Sequence, residues 1–90
     1  MWRYEIISNN ESGYGRYDLA MIPVRSNEKA YLMEFKISKT EKEMSLKAEE
    51  ALRQIDEKKY DTKLKARGIK NILKLGIAFH GKNVKVSSKY

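Results

Sequence analysis

The sequence contains no cysteine, a single proline and no long hydrophobic run. The absence of cysteine excludes disulfides and cysteine-ligated zinc, and it fits a reducing compartment such as the cytoplasm. No apolar segment approaches the roughly 20 residues that a membrane helix needs, and the N-terminus has no hydrophobic signal-peptide core. We therefore expect a soluble cytoplasmic protein that does not interact with membranes.

Positive charge is plentiful but unevenly placed along the chain. The 90 residues carry a formal net charge of +7. Residues 1–45 contain seven basic and seven acidic residues, whereas residues 46–90 contain twelve basic and five acidic ones. Such a one-sided positive field indicates a polyanionic partner, and nucleic acid is favoured over a membrane because no strongly apolar helix face accompanies the charge. Alternatively, the positive charge serves only to keep the protein soluble.

Ninety residues allow one small domain with a single hydrophobic core. Short β-rich segments alternate with turn-forming residues in the first part of the chain, and two more such segments close it. The sequence predicts strands over residues 4–8, 16–24, 30–38, 72–81 and 83–88.

Between the third and fourth of these strands the apolar residues recur at helical spacing. The first predicted helix runs from about Thr40 to about Lys59, and Thr40 followed by Glu43 matches a capping box. A shorter helix over residues 61–68 is predicted to end at Gly68. The order of β, β-hairpin, helix and β-hairpin predicts an α/β fold with a mixed sheet.

The segment AYLMEFKIS, residues 30–38, has the composition of a buried strand but carries two charges, Glu34 and Lys36. If the preceding hairpin turn centres on Ser26, residues whose numbers sum to 52 lie opposite one another, which pairs Asp18 with Glu34. Side chains alternate along a strand, so Asp18, Glu34 and Lys36 then share one face. A slip of one residue would move Asp18 to the other face.

Two carboxylates that face each other across neighbouring strands repel. A divalent cation would offset the repulsion, since magnesium is usually held by one or two carboxylates together with water molecules. Lys36 could then orient a water molecule or stabilise charge that develops on a phosphate. The trio predicts a metal-dependent phosphodiesterase, and the alternative is a set of solvent-facing charges on a half-exposed sheet.

The residues GRYD followed by EFK resemble the PD-(D/E)xK nuclease superfamily, whose motif is an acid on one strand and (D/E)-x-K on the next. The resemblance extends over residues 4–86. The chain looks like one branch of it, the module found C-terminal to AAA-ATPase-like domains in bacterial proteins. Four segments carry it, in this order: SNNESGYGRYDLAMIP, YLMEFKI, AEEALRQIDEKKY and LKARGIKNILKLGIAFHGKNV.

This resemblance implies a restriction-endonuclease-like core and hydrolysis of DNA phosphodiester bonds with Mg²⁺ or Mn²⁺. Asp18 and Glu34 would be the metal ligands, and Lys36 would position the attacking water. Gln54, in ALRQI, resembles a helix glutamine that some relatives turn toward the active site. Alternatively, Gln54 lies at the boundary of the apolar stripe of the helix and forms hydrogen bonds with backbone groups.

The chain also departs from the family pattern. Tyr17 stands in place of the motif's proline, which is a common variation in this branch. The helix that normally precedes the first strand is missing, as is the ATPase-like portion, so we expect a fragment of a longer protein or a shortened gene product. A sheet face left bare by the missing helix predicts a homodimer. The rival function is a non-catalytic DNA-binding or partner-docking module that retains the nuclease fold.

Overall fold

The computed structural model describes residues 3–8, 19–24, 28–57 and 60–90. Within these ranges every predicted strand and helix is present, although residues 16–18 of the predicted second strand lie outside them. The order along the chain is β1 (Tyr4–Ser8), β2 (Leu19–Pro23), β3 (Ala30–Ile37), α1 (Met44–Glu57), α2 (Tyr60–Ala66), β4 (Ile72–His80) and β5 (Asn83–Lys89).

The strands form one mixed sheet in the order β1-β2-β3-β4-β5. β3 and β4 run parallel, and the crossover that parallel strands require is supplied by α1 and α2. The other neighbouring strands are antiparallel. Leu19 pairs with Met33 and Met21 pairs with Tyr31, so the residue numbers sum to 52. Both the predicted α/β mixed sheet and the predicted hairpin register are confirmed.

Helix α1 packs against β3, β4 and β5 on one side of the sheet, which we call the helix-covered face. This face carries the even-numbered residues of β3 and β4, together with Ala20 and Ile22 of β2. The main core lies here, where α1 and α2 meet the sheet. It consists of Ala20, Ile22, Ala30, Leu32, Ile55, Leu64, Ile69 and Ile72.

The other side of the sheet, which we call the open face, is apolar but has no helix on it within the described residues. Its side chains are half-buried or exposed, in contrast to their buried neighbours on the helix-covered face. The open face comprises the odd-numbered residues 31–37 of β3 and 73–79 of β4, with Ile6, Leu19, Met21, Val84 and Val86.

The structure starts α1 four residues later than the sequence predicts, at Met44 instead of Thr40. The Thr40 hydroxyl does accept a hydrogen bond from the Glu43 backbone N–H at 3.2 Å, but it closes a turn that precedes the helix. Helical bonding begins where the Lys47 N–H donates to the Glu43 carbonyl at 2.9 Å. The predicted capping residue is therefore used, one turn ahead of the helix proper.

The predicted C-cap of α2 at Gly68 is confirmed. Gly68 has a φ of 92°, a left-handed conformation that favours glycine. Its N–H donates to the Lys65 carbonyl, and the Ile69 N–H donates to the Leu64 carbonyl, which together form a Schellman motif. Leu64 and Ile69 are both buried and supply the hydrophobic contact of that motif. In the described part of the chain no helix has the length and hydrophobicity to cross a membrane.

A buried lysine ties the helices to the sheet. Lys74 of β4 is 8% exposed, and its ammonium lies 2.5 Å from Asp56 Oδ1 at the end of α1 and 3.4 Å from Asp61 Oδ2 in α2. Lys89 of β5 contacts the other Asp56 oxygen at 2.9 Å. The hydrogen bond from Lys74, followed by that from Lys89, lowers the pKa of Asp56. Burial opposes ionisation of Asp61, but Lys74 and Lys65 outweigh it and lower its pKa as well.

We expect this cluster to make the protein sensitive to acid. Because the pKa values of Asp56 and Asp61 fall below their ordinary 3.8 on folding, their stabilisation is present above that value and is lost as the pH falls through the folded-state pKa values. Lys74→Met should lower the free energy of unfolding by about 1–3 kcal/mol at neutral pH. It should also reduce the amount by which this free energy falls between neutral pH and about pH 3. Urea unfolding at both pH values measures this.

The matched control is Lys65→Met, which removes a lysine with a 61% exposed side chain that also contacts Asp61. An exposed pair of this kind contributes about 0–1 kcal/mol, so the control should stay close to the wild type. Equal effects of the two substitutions would contradict the assignment of Lys74 as the centre of the cluster.

Candidate active site

Glu34 lies in the central strand of the sheet and is only 4% exposed. It belongs to the helix-covered face, where Leu32 of β3 is a core residue and its partner in β4, Gly76, is buried. An ionised carboxylate at such a position costs free energy relative to an apolar side chain. Buried charge that a fold retains at this cost is typical of functional sites.

Lys36 follows two residues later on the same face, about 7 Å further along the strand. Its ammonium lies 3.9 Å from Glu50 Oε1 of α1, and Lys47 approaches the same oxygen at 3.7 Å. These distances are those of electrostatic contacts and are longer than good hydrogen bonds. The Lys36 side chain is 24% exposed, so it is accessible to solvent.

Small residues bring α1 close to this part of the sheet. Glu34 is level with Gly76 in β4, and Lys36 is level with Ala78. A Cβ atom added to Gly76 would lie 2.1 Å from the Ala48 carbonyl oxygen of α1. The backbones of helix and strand are therefore in contact here, which allows a helix side chain to reach Lys36.

Gln54 is half-buried on α1, four residues after Glu50. Residues four apart lie on the same edge of a helix, so Gln54 is one turn away from the side chain that contacts Lys36. That Gln54 belongs to the site stays a prediction from the sequence.

Asp18 lies outside the described residues. The described pairing of β2 with β3 ends at Leu19 and Met33, and Asp18 is the residue that precedes Leu19 in the chain. Its role as a metal ligand stays a prediction from the sequence.

The loop that follows β3 is anchored at its first residue, Ser38. The Ser38 N–H donates to the Phe79 carbonyl at 2.7 Å, and the Ser38 hydroxyl donates to the Thr40 carbonyl at 2.6 Å. The His80 Nδ1 atom lies 3.1 Å from the Ser38 carbonyl. The only histidine of the chain thus contacts the backbone at the end of β3, next to the site.

The donor chemistry of the site suits a hard divalent cation. Carboxylate oxygens are the ligands that magnesium prefers, and one or two of them with water are sufficient. Glu34 supplies a buried carboxylate of this kind. The described residues contain no group of three histidine, cysteine or acidic side chains that could hold a metal by itself.

The sequence does not reveal the contacts that two charged residues of this region make. Glu50 is one of two adjacent glutamates in a charge-rich helix, and only the structure shows that it faces Lys36. Lys74 lies in an otherwise apolar strand, which could have indicated that it is buried. Its partners Asp56 and Asp61 lie in other elements, so the sequence does not indicate these contacts.

Comparison with known proteins identifies a family to which the chain is similar. The model of a protein family described as the PD-(D/E)XK nuclease superfamily matches residues 2–89, which is nearly the whole chain. No curated protein and no solved structure matches.

Proposed function

Because the chain belongs to the PD-(D/E)XK nuclease superfamily, we propose that it hydrolyses DNA phosphodiester bonds with the help of Mg²⁺ or Mn²⁺. Nucleases of this superfamily generally use divalent metal ions. The observation that carries the proposal is the pair formed by the buried carboxylate of Glu34 and the partly exposed ammonium of Lys36 on one face of the central strand.

Asp18 and Glu34 are the proposed metal ligands. The register observed for β2 and β3 supports this pairing, because its extension by one residue would set Asp18 opposite Glu34. A cation bound there would polarise the phosphate and lower the pKa of a bound water. The two carboxylates would fix its position relative to the substrate.

Lys36 is the proposed catalytic lysine. Its ammonium would donate hydrogen bonds to the attacking water and to a phosphate oxygen on which negative charge develops. Glu50 would hold the side chain in place when no substrate is bound, since it contacts Lys36 at 3.9 Å. Gln54, one turn along α1, would support the site through its amide group.

Recognition of DNA would rest on charge. The excess of basic residues lies in the second half of the chain, where Lys65, Arg67 and Lys70 are exposed around the end of α2. Lysine and arginine that contact phosphates give binding that weakens steeply with salt and does not depend on base sequence. The rival proposal, a non-catalytic DNA-binding or docking module, would share this salt dependence but yield no cleaved product.

We also propose that the protein acts in the cytoplasm beside an ATPase-like domain. The lack of cysteine supports the location. The resemblance to modules that follow AAA-ATPase-like domains supports the partner.

Calorimetric titration of Mn²⁺ tests the proposed function. We expect the wild type to bind the ion, and both Asp18→Asn and Glu34→Gln to lose binding. Glu49→Gln is the matched control, because Glu49 is an exposed glutamate of α1 that borders β5 rather than β3. Binding that persists in both acid variants would contradict the assigned ligands. DNA incubated with wild type and Mn²⁺ should be cleaved, and addition of EDTA should stop the reaction.

Absence of metal binding and of cleavage in the wild type would favour the non-catalytic module instead. In that case DNA binding measured at several salt concentrations should still give a steep slope.

A further inference from the structure

The charged residues of the strands lie on the opposite face from the one expected for a sheet with one side in water. All charged side chains of the described strands lie on the side of the sheet that faces α1, as the pairing registers show. They are Glu5, Glu34, Lys36, Lys74, Lys85 and Lys89. A sheet with one face in water normally carries its polar residues on that face. Here the described part of the open face is uncharged.

The open face also exposes large apolar side chains. Ile37 is 82% exposed, Val84 and Val86 are each more than half exposed, and Phe35 is 38% exposed. The rings of Phe35 in β3 and Phe79 in β4 lie 5.9 Å apart between centroids, tilted by 53°. Phe79 pairs in turn with Val84 of β5, so the exposed residues of β3 and β5 are connected. Contiguous apolar surface of this kind marks a site of interaction with another molecule or segment.

The size of the open face suits an interface between small proteins. Five strands spaced about 4.8 Å apart, with lengths of five to nine residues, give a surface of roughly 24 by 20 Å. Side chains that rise from this plane add to the accessible area. A standard specific interface buries about 800 Å² on each partner, so the open face supplies most of what a stable dimer needs.

We propose that the open face binds a second copy of this chain, with the two sheets packed face to face about a twofold axis. A charged partner would find no opposite charge among the described residues of this face. A second copy presents the same uncharged apolar surface with the same dimensions, and aligned sheets pack with their side chains interdigitated. The charged side chains of the described strands stay on the outer sides of such a dimer.

This arrangement leaves the candidate active site accessible. Glu34 and Lys36 belong to the helix-covered face, so the two sites of a dimer would open outward on opposite sides. The proposal therefore does not depend on the proposed nuclease activity, and it can be tested without a substrate.

Sedimentation velocity and light scattering over a wide range of concentrations test the dimer. We expect the wild type to dimerise and Val86→Glu to weaken dimerisation at least about 100-fold, because the substitution would bury a charge in an apolar interface. Ile37→Lys, at the most exposed position of the open face, should act in the same direction. Leu46→Glu is the matched control, since Leu46 is 58% exposed on α1, away from the open face, and should dimerise like the wild type.

A wild type that is monomeric up to high micromolar concentration would overturn the proposal and indicate that another segment or a different protein covers the face. A dimer that withstands both substitutions would also overturn it, because its interface would lie elsewhere.

Spin labels give an independent readout of the interface. The chain has no cysteine, so a single one can be introduced without interference. Labels at Met33→Cys, on the central strand of the open face, should show a short distance between subunits, since packed sheets lie about 10 Å apart. Labels at Leu46→Cys, beyond α1, should be much further apart. The reverse order of the two distances would contradict packing through the open face.

Discussion

Replacement of Lys36 by methionine should lower DNA cleavage by about 100- to 1000-fold while Mn²⁺ binding persists. The loss follows from removal of the ammonium that would stabilise charge on the phosphate in the transition state. Metal binding should persist because the proposed ligands, Asp18 and Glu34, are unchanged. Methionine keeps the length of the side chain, and Glu50 retains its contact with Lys47 at 3.7 Å, so no charge is left isolated.

Lys47→Met is the matched control for this substitution. It removes the other lysine that approaches Glu50, from a position on α1 that has no proposed part in the chemistry. We expect its cleavage rate to stay within a few-fold of the wild type. Rates that fall equally in the two variants would show that Lys36 acts through general electrostatics of the surface, not through direct contact with the substrate.

Substitution of Gly76 by alanine should destabilise the fold by at least about 3 kcal/mol. The added Cβ would lie 2.1 Å from the Ala48 carbonyl oxygen and 2.6 Å from the Leu52 nitrogen. Both are backbone atoms, which cannot turn aside as a flexible side chain can. Helix α1 would have to move away from β4, and the contact of Glu50 with Lys36 would be lost with it.

Gly81→Ala provides the comparison for urea unfolding. Gly81 has a φ of +60°, but a Cβ there meets no atom within 4 Å. The conformational cost alone is about 1 kcal/mol. If the two alanine variants unfold at the same urea concentration, the close approach of α1 to β4 is not the source of the stability of this region.

The sequence is informative where structure is decided locally. The hairpin register of β2 and β3 could be predicted, because turn-forming residues between the two segments and the alternation of side chains leave few choices. The end of α2 could be predicted because Gly68 adopts a backbone conformation that few other residues tolerate. The start of α1 could not be located to the residue, since Thr40 can close either a turn or a helix.

The candidate site could be predicted only in part, because some of its contacts form between elements that are far apart in the chain. Glu34 and Lys36 stand out because charge is unusual in an apolar strand. Glu50 does not stand out, because glutamate is common on helix surfaces and its contact with Lys36 depends on the docking of α1. The close approach at Gly76 is likewise a property of two elements far apart in the chain, which no local pattern encodes.

The parallel pairing of β3 with β4 has a consequence for how the chain folds. Ala30 pairs with Ile72, so these strands can join only after the whole crossover has been closed. The β4–β5 hairpin, in which His80 pairs with Asn83, needs only a tight local turn. Since closure of long loops delays contacts between distant residues, we expect the hairpins to form early and the central pair late. Glu34 meets Gly76 in that central pair, so the candidate active site would be assembled in the last stage of folding, and partly folded chains would not contain it.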